Sequence, residues 1–136
     1  MTLVKNALWE KYQLQPTHTP EEMMLLAGRF PDEIKLFTVH KDKTMLGGAI
    51  IYESSQVAHA QYSAAGKEGK ASGALDLLWS YLITDYYAKK KYFDFGISTE
   101  KESRYLNTGL SENKERYGAR TVVYDFYEWD VGEAPR

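Results

Sequence analysis

The chain has 136 residues, 43% of them hydrophobic, and a formal charge of −2. That suits one domain with a real core and excludes a global electrostatic pull toward nucleic acid or anionic membranes. It has no cysteine, which excludes disulfides, thiolate metal sites and a cysteine nucleophile and fits a reducing compartment.

No apolar run approaches the roughly 18 residues of a membrane span. The start, MTLVKNALWEKY, has no signal-peptide core, so the expectation is a soluble, cytoplasmic protein. Eleven tyrosines suit a core with a wet edge, a cleft or an interface, because each brings apolar area and a hydroxyl.

In chain order, Leu3, Ala7 and Leu8 recur at helical spacing and predict a helix over 2–14. Thr19, Pro20 and Glu22 match an N-cap, a first helical position and a capping box, predicting a second helix that ends near Arg29 or Phe30. Three strands follow over 34–41, 45–54 and 57–64, joined by two tight turns as an antiparallel meander. Gly47 and Gly48 mark a bulge or a close approach. Strict alternation puts His59 and Gln61 on one face of the third strand.

The glycine-rich stretch AGKEGKASG (65–73) leads into a helix predicted over 74–91. A strand over 92–97 comes next, parallel to 57–64 because a helical crossover joins them. A helix over 104–118 closes on Gly118, and a strand over 119–129 alternates aromatic and polar residues. The order α-α-β-β-β-α-β-α-β is that of an α/β (α+β) domain with a mixed, mostly antiparallel sheet. One domain over 1–136 is expected.

That order and the segments VAHAQYSAAGKEGKASGALDLLWSYLI, YFDFGISTE, RYLNTGLSENKERYGAR and VVYDFYE resemble the GNAT acyltransferase fold, and within it the C-terminal lobe of bacterial two-lobed, Fem-like proteins. The helix pattern Gly109, Leu110, Lys114, Tyr117, Gly118 is similar to that of Fem-type peptidoglycan aminoacyltransferases. The resemblance covers nearly the whole chain. It implies a second lobe before this one, so the chain would be an excised half, a truncated product or a single-lobe relative. If a lobe is missing, a homodimer is one way to cover the aromatic residues of 119–129.

The resemblance also implies site residues. Strands 57–64 and 92–97 would start paired and splay, and the V between them would hold the pantetheine arm of acetyl-CoA or another acyl-CoA. Gln61, Tyr62, Gly96, Ser98 and Asn107 would line the donor side, and Lys70, Gly73 and Ala74 the pyrophosphate loop. That loop departs from the usual pattern, having only Lys70-x-x-Gly73 or Lys67-x-Gly69; it reads equally as a βα connection. His59, with Asp94 or Glu100 across the V, is a candidate general base, or else a structural histidine. Asp94 reads alternatively as a partner of Lys89–Lys91. Lys114 stands where such enzymes commonly have a tyrosine, and would stabilise charge on the acyl group or form a surface ion pair. Ser98 and Thr99 read alternatively as caps of a strand exit. The scattered His18, His40 and His59 make no metal site.

The leading reading is an N-acyltransferase moving an acyl or aminoacyl group to an amine, on a small molecule or a peptidoglycan precursor. Nucleic acid enters only as an aminoacyl-tRNA donor. The other reading is a non-catalytic GNAT-like binding or lobe-pairing module.

Overall fold

The computed structural model describes residues 16–129 and Gly132. The helix expected over 2–14 lies outside them. The chain forms two compact units, one up to Ile97 and one from Ser98 onward.

The first unit opens on helix α1, Pro20–Arg29. Its start is fixed as the capping pattern predicts: the Thr19 hydroxyl accepts from the Glu22 N–H, and the Glu22 carboxylate accepts from the Thr19 N–H at 2.7 Å. Strands β1 (Ile34–Lys41), β2 (Thr44–Glu53) and β3 (Val57–Ala65) form the predicted antiparallel meander. Both readings of the glycine pair hold. The β1–β2 register skips Leu46, between Val39↔Gly47 and His40↔Met45. A Cβ at Gly48 would stand 2.6 Å from the Phe37 carbonyl oxygen, so the strands approach closely there.

A second bulge lies in β3. Ile51 pairs with Ala60 and Ile50 with Tyr62, so Gln61 is the extra residue. Directly paired residues share a face. Ile50 and Tyr52 therefore carry Tyr62 and His59 on one face of the sheet. This corrects the alternation that paired His59 with Gln61: after a bulge the two-residue period restarts.

The stretch 65–73 is not an open loop. It holds a short helix α2, Lys67–Ala71, entered at Gly66. Gly69 is buried, and a Cβ there would collide with the Leu46 carbonyl. Helix α3, Ala74–Tyr81, follows Gly73, whose φ is +70°. The helix expected to reach residue 91 loosens after Tyr81 into a π-helical turn, Leu82–Tyr86, where the Tyr87 N–H donates to Leu82 O at 2.8 Å. The Thr84 hydroxyl bonds back to Ser80 O at 2.8 Å, a contact that competes with regular helix geometry.

Strand β4, Tyr92–Asp94, pairs in parallel with β3 and completes the order β1-β2-β3-β4. It is shorter than the expected 92–97. Gly96 turns left-handed at φ +73°, and its N–H donates to Asp94 Oδ1 at 2.7 Å instead of entering the ladder.

Helix α3 and the π turn pack on one face of this sheet and α1 on the other. Trp79 meets Phe93 and Phe95 edge-on, and Tyr87 donates to Glu53 at 2.7 Å. Burial, then the hydrogen bond and charge of Glu53, push the Tyr87 hydroxyl up from its usual range. The core includes Ile51 and Leu82, both fully buried. On the opposite face the Tyr52 hydroxyl donates to Met23 Sδ of α1 at 3.4 Å.

The second unit contains a small hairpin, β5 (Thr99–Glu100) with β6 (Tyr105–Leu106), and helix α4, Thr108–Arg116. The helix expected from residue 104 starts later. Lys101, Glu102 and Ser103 are all left-handed and turn the chain back on itself, and Asn107 caps the helix by accepting from the Leu110 N–H at 2.9 Å. Gly118, at φ +87°, ends it as predicted.

The strand expected over 119–129 is not formed. Its alternation matches a strand, but strand propensity acts through cross-strand packing. The strands described within this unit are two residues long. Phe126 and Tyr127 are 83% and 91% exposed.

Candidate active site

His59 and Asp94 form the last pair of the β3–β4 ladder, and His59 Nδ1 lies 2.7 Å from Asp94 Oδ2. Both side chains are partly exposed, at 34% and 44%. Beyond this pair β3 runs on to Ala65 while β4 has ended, so the two strands part here.

An ionised Asp94 only accepts, so it places the imidazole proton on Nδ1 and leaves the lone pair on Nε2. That is the arrangement of an oriented base. Asp94 is itself held, through its other oxygen, by the Gly96 N–H. Gly96 packs against the ring: a Cβ there would be 3.5 Å from His59 Cε1 and 3.9 Å from Ala60 O. Of the two readings of Asp94, the geometry gives the pairing with His59. Lys90 of that run lies 3.4 Å from Glu53.

Tyr52 and Tyr62 share the His59 face. Burial, and then the neighbouring Tyr62, raise the Tyr52 hydroxyl above its usual range. Tyr62 Oη accepts from the His18 backbone N–H at 3.2 Å and lies 2.8 Å from His18 Nδ1. His18, one of the scattered histidines of the sequence, thus meets the sheet through Tyr62. Its signal was its place immediately before the Thr19 cap, where a chain entering α1 crosses the sheet face.

The other expected residues fall into three groups. Gln61 is the bulged residue, half-buried. Lys70 is exposed in the last turn of α2, and Gly73 and Ala74 begin α3. A Cβ at Gly73 would stand 3.2 Å from Asp76 Oδ2, so a carboxylate already lies over the start of α3, where a helix end attracts an anion.

Within the second unit, Glu100 Oε1 accepts from Asn107 Nδ2 at 2.6 Å while Asn107 caps α4, and the Asn107 N–H donates to Ser98 O at 2.9 Å. Lys114 is half-buried in the last turn of α4, where a cation complements the helix dipole. Among the described residues no three His, Asp or Glu side chains gather as a metal site. No described helix is long and apolar enough to cross a membrane.

The chain is similar in structure to a solved protein, described as a possible acetyltransferase from Clostridium difficile 630, with a TM-score of 0.69. The match covers 96% of this chain and 88% of the other at 15% identity, a likeness of fold. No curated protein matches the sequence. The family model of the acetyltransferase (GNAT) domain matches residues 3–105. Domains of this family transfer acyl groups and generally take them from acyl-CoA. With that model spanning most of its length and the mixed sheet in place, the chain belongs to the GNAT acetyltransferase domain family.

Proposed function

We propose that the protein is a cytoplasmic N-acyltransferase that moves an acyl or aminoacyl group from acyl-CoA, or from an aminoacyl carrier, to an amine. The His59–Asp94 pair at the parting of β3 and β4 carries this reading. An amine attacks a thioester only as the neutral base, so the reaction needs a proton acceptor beside the acyl carbon. His59 Nε2 fills that role, Asp94 orients it, and the Gly96 N–H holds Asp94 in place. The candidate roles of Glu100, and of Lys114 as a stabiliser of charge on the acyl group, rest on the resemblance of the helix pattern alone. The acceptor is a small amine or a peptidoglycan precursor, in line with the Fem-like helix pattern.

A specific observation favours a second reading, a binding or lobe-pairing module. Asp76 lies beside Gly73 at the start of α3, where a pyrophosphate would sit. The two readings separate in one assay. Thiol release from acetyl-CoA in the presence of a panel of amines is expected for an enzyme. A thermal shift with CoA but no thiol release supports the module, and neither response refutes both as readings of a CoA-using protein.

A further inference from the structure

Strand β1 is an edge of the sheet, and among the described residues no strand pairs with its outer side. It is eight residues long and carries no bulge of its own, since the extra residue, Leu46, lies in β2. Prolines, bulges and lysines are the devices that keep such an edge from pairing. β1 has no proline, and Leu36 on it is 69% exposed. Its protection rests on Lys35 and Lys41, and the Lys35 ammonium already turns back to the Pro31 carbonyl at 3.4 Å.

Along an antiparallel pair, successive residues alternate between turning their N–H and C=O toward the neighbour and turning them away. Glu33 O accepts from the Glu53 N–H at 2.6 Å, and the Phe37 carbonyl faces Gly48 of β2. Odd-numbered residues up to Val39 thus bond β2, and Leu36 and Thr38 turn their backbone groups outward. Ile34 turns outward too, but its N–H already donates to Phe30 O at 3.0 Å. An added strand therefore meets this edge at Leu36 and Thr38.

A second copy of β1 fits there, antiparallel about a two-fold axis, and charge chooses the register. With Thr38 opposite the partner's Thr38, Lys35 would face the partner's Lys41, a like-charge pair. With Leu36 opposite the partner's Leu36, Lys41 would face the partner's Pro31 and gain no counter-charge. With Leu36 opposite the partner's Thr38, Glu33 faces the partner's Lys41 on both sides of the axis. Each Leu36–Thr38 pair then exchanges both N–H···O bonds, and Phe37 faces the partner's Phe37. Glu33 is exposed. Lys41 is exposed as well, and its 3.8 Å approach to Glu68 is a surface contact of small worth.

We propose that β1 is a self-association edge, at which two copies of this chain join their sheets in the Leu36–Thr38 register with Glu33–Lys41 ion pairs at both ends. The occupant of the edge is a second copy. His59 and Asp94 lie on β3 and β4, at the other side of each sheet, so pairing leaves the candidate base open and does not depend on acyl transfer.

Sedimentation of the full chain over a concentration series tests this. Wild type is expected to pass from monomer to dimer. Glu33→Lys and Lys41→Glu each set like charges in both ion pairs, and each is expected to raise the dimer dissociation constant about 10-fold or more. An equal mixture of the two variants is expected to form a mixed dimer near the wild-type constant, because opposite charges then meet again at both ends. Amide exchange of the wild type, which needs no variant, is expected to slow at Leu36 and Thr38 as the dimer forms. A wild type that stays monomeric up to about 1 mM overturns the proposal. So does a dimer that ignores both charge swaps, or one that forms without protecting the Leu36 and Thr38 amides.

Discussion

Asp94 ties the end of β4 to the base it orients: one carboxylate oxygen meets His59 Nδ1 at 2.7 Å and the other accepts the Gly96 N–H at 2.7 Å. The residue that terminates the ladder is thus the residue that fixes the imidazole. Asp94→Asn keeps an oxygen for Gly96 but presents an NH2 group to Nδ1. Nδ1 must then accept, the ring proton moves to Nε2, and the basic lone pair is lost from the open side. Thiol-release kinetics should show kcat lower by about 100-fold, with little change in melting temperature.

Gly96 is left-handed, at φ +73°. A Cβ there meets His59 Cε1 at an ordinary 3.5 Å, so backbone conformation decides the outcome. Gly96→Ala is expected to cost roughly 1–2 kcal/mol in urea unfolding. Activity falls as well, because relief of that strain moves the Asp94 carboxylate away from the ring.

Asp76 stands where an incoming phosphate would meet the start of α3. Asp76→Asn removes its charge. CoA affinity, measured by titration calorimetry, should tighten roughly 2- to 5-fold, the equivalent of about 0.3–1 kcal/mol for a charge at a helix end. Weaker or unchanged affinity would place the pyrophosphate elsewhere.

Much of the first unit was legible in the sequence because local chemistry specifies it. Thr19, Pro20 and Glu22 set the start of α1, and tight turns set the meander. His59 stood out as a titratable group on a strand. What was not legible depends on contacts across the sheet. The bulge at Gln61 arises where β2 and β3 meet, so alternation along β3 alone gave His59 the wrong companion. The early end of β4 follows from the Asp94 side chain competing for the Gly96 N–H, which no period reveals. Residues 119–129 have strand composition, yet composition names no partner. That Asn107, a donor-side candidate in the sequence, also caps α4 follows from where the hairpin ends.

The capping box gives a pH dependence. Hydrogen bonds from the Thr19 backbone and then its side chain hold the Glu22 carboxyl below its ordinary value of 4.5. A depressed carboxylate contributes stability that is present above the unfolded-state value. It is lost as pH falls through the lower, folded-state value. Melting temperature should therefore decline below about pH 4.5 more steeply in the wild type than in Glu22→Gln. At neutral pH, Thr19→Ala should cost about 1 kcal/mol.

The central claim is that His59 takes the amine's proton during acyl transfer. The direct measurement is the rate of thiol release from acetyl-CoA with a saturating amine, for wild type and His59→Gln, at a pH where both are folded. The account predicts a loss of about 100-fold or more in kcat, partly recovered as pH rises and the free amine deprotonates in solution. A His59→Gln enzyme that releases thiol at the wild-type rate across the pH range would contradict it.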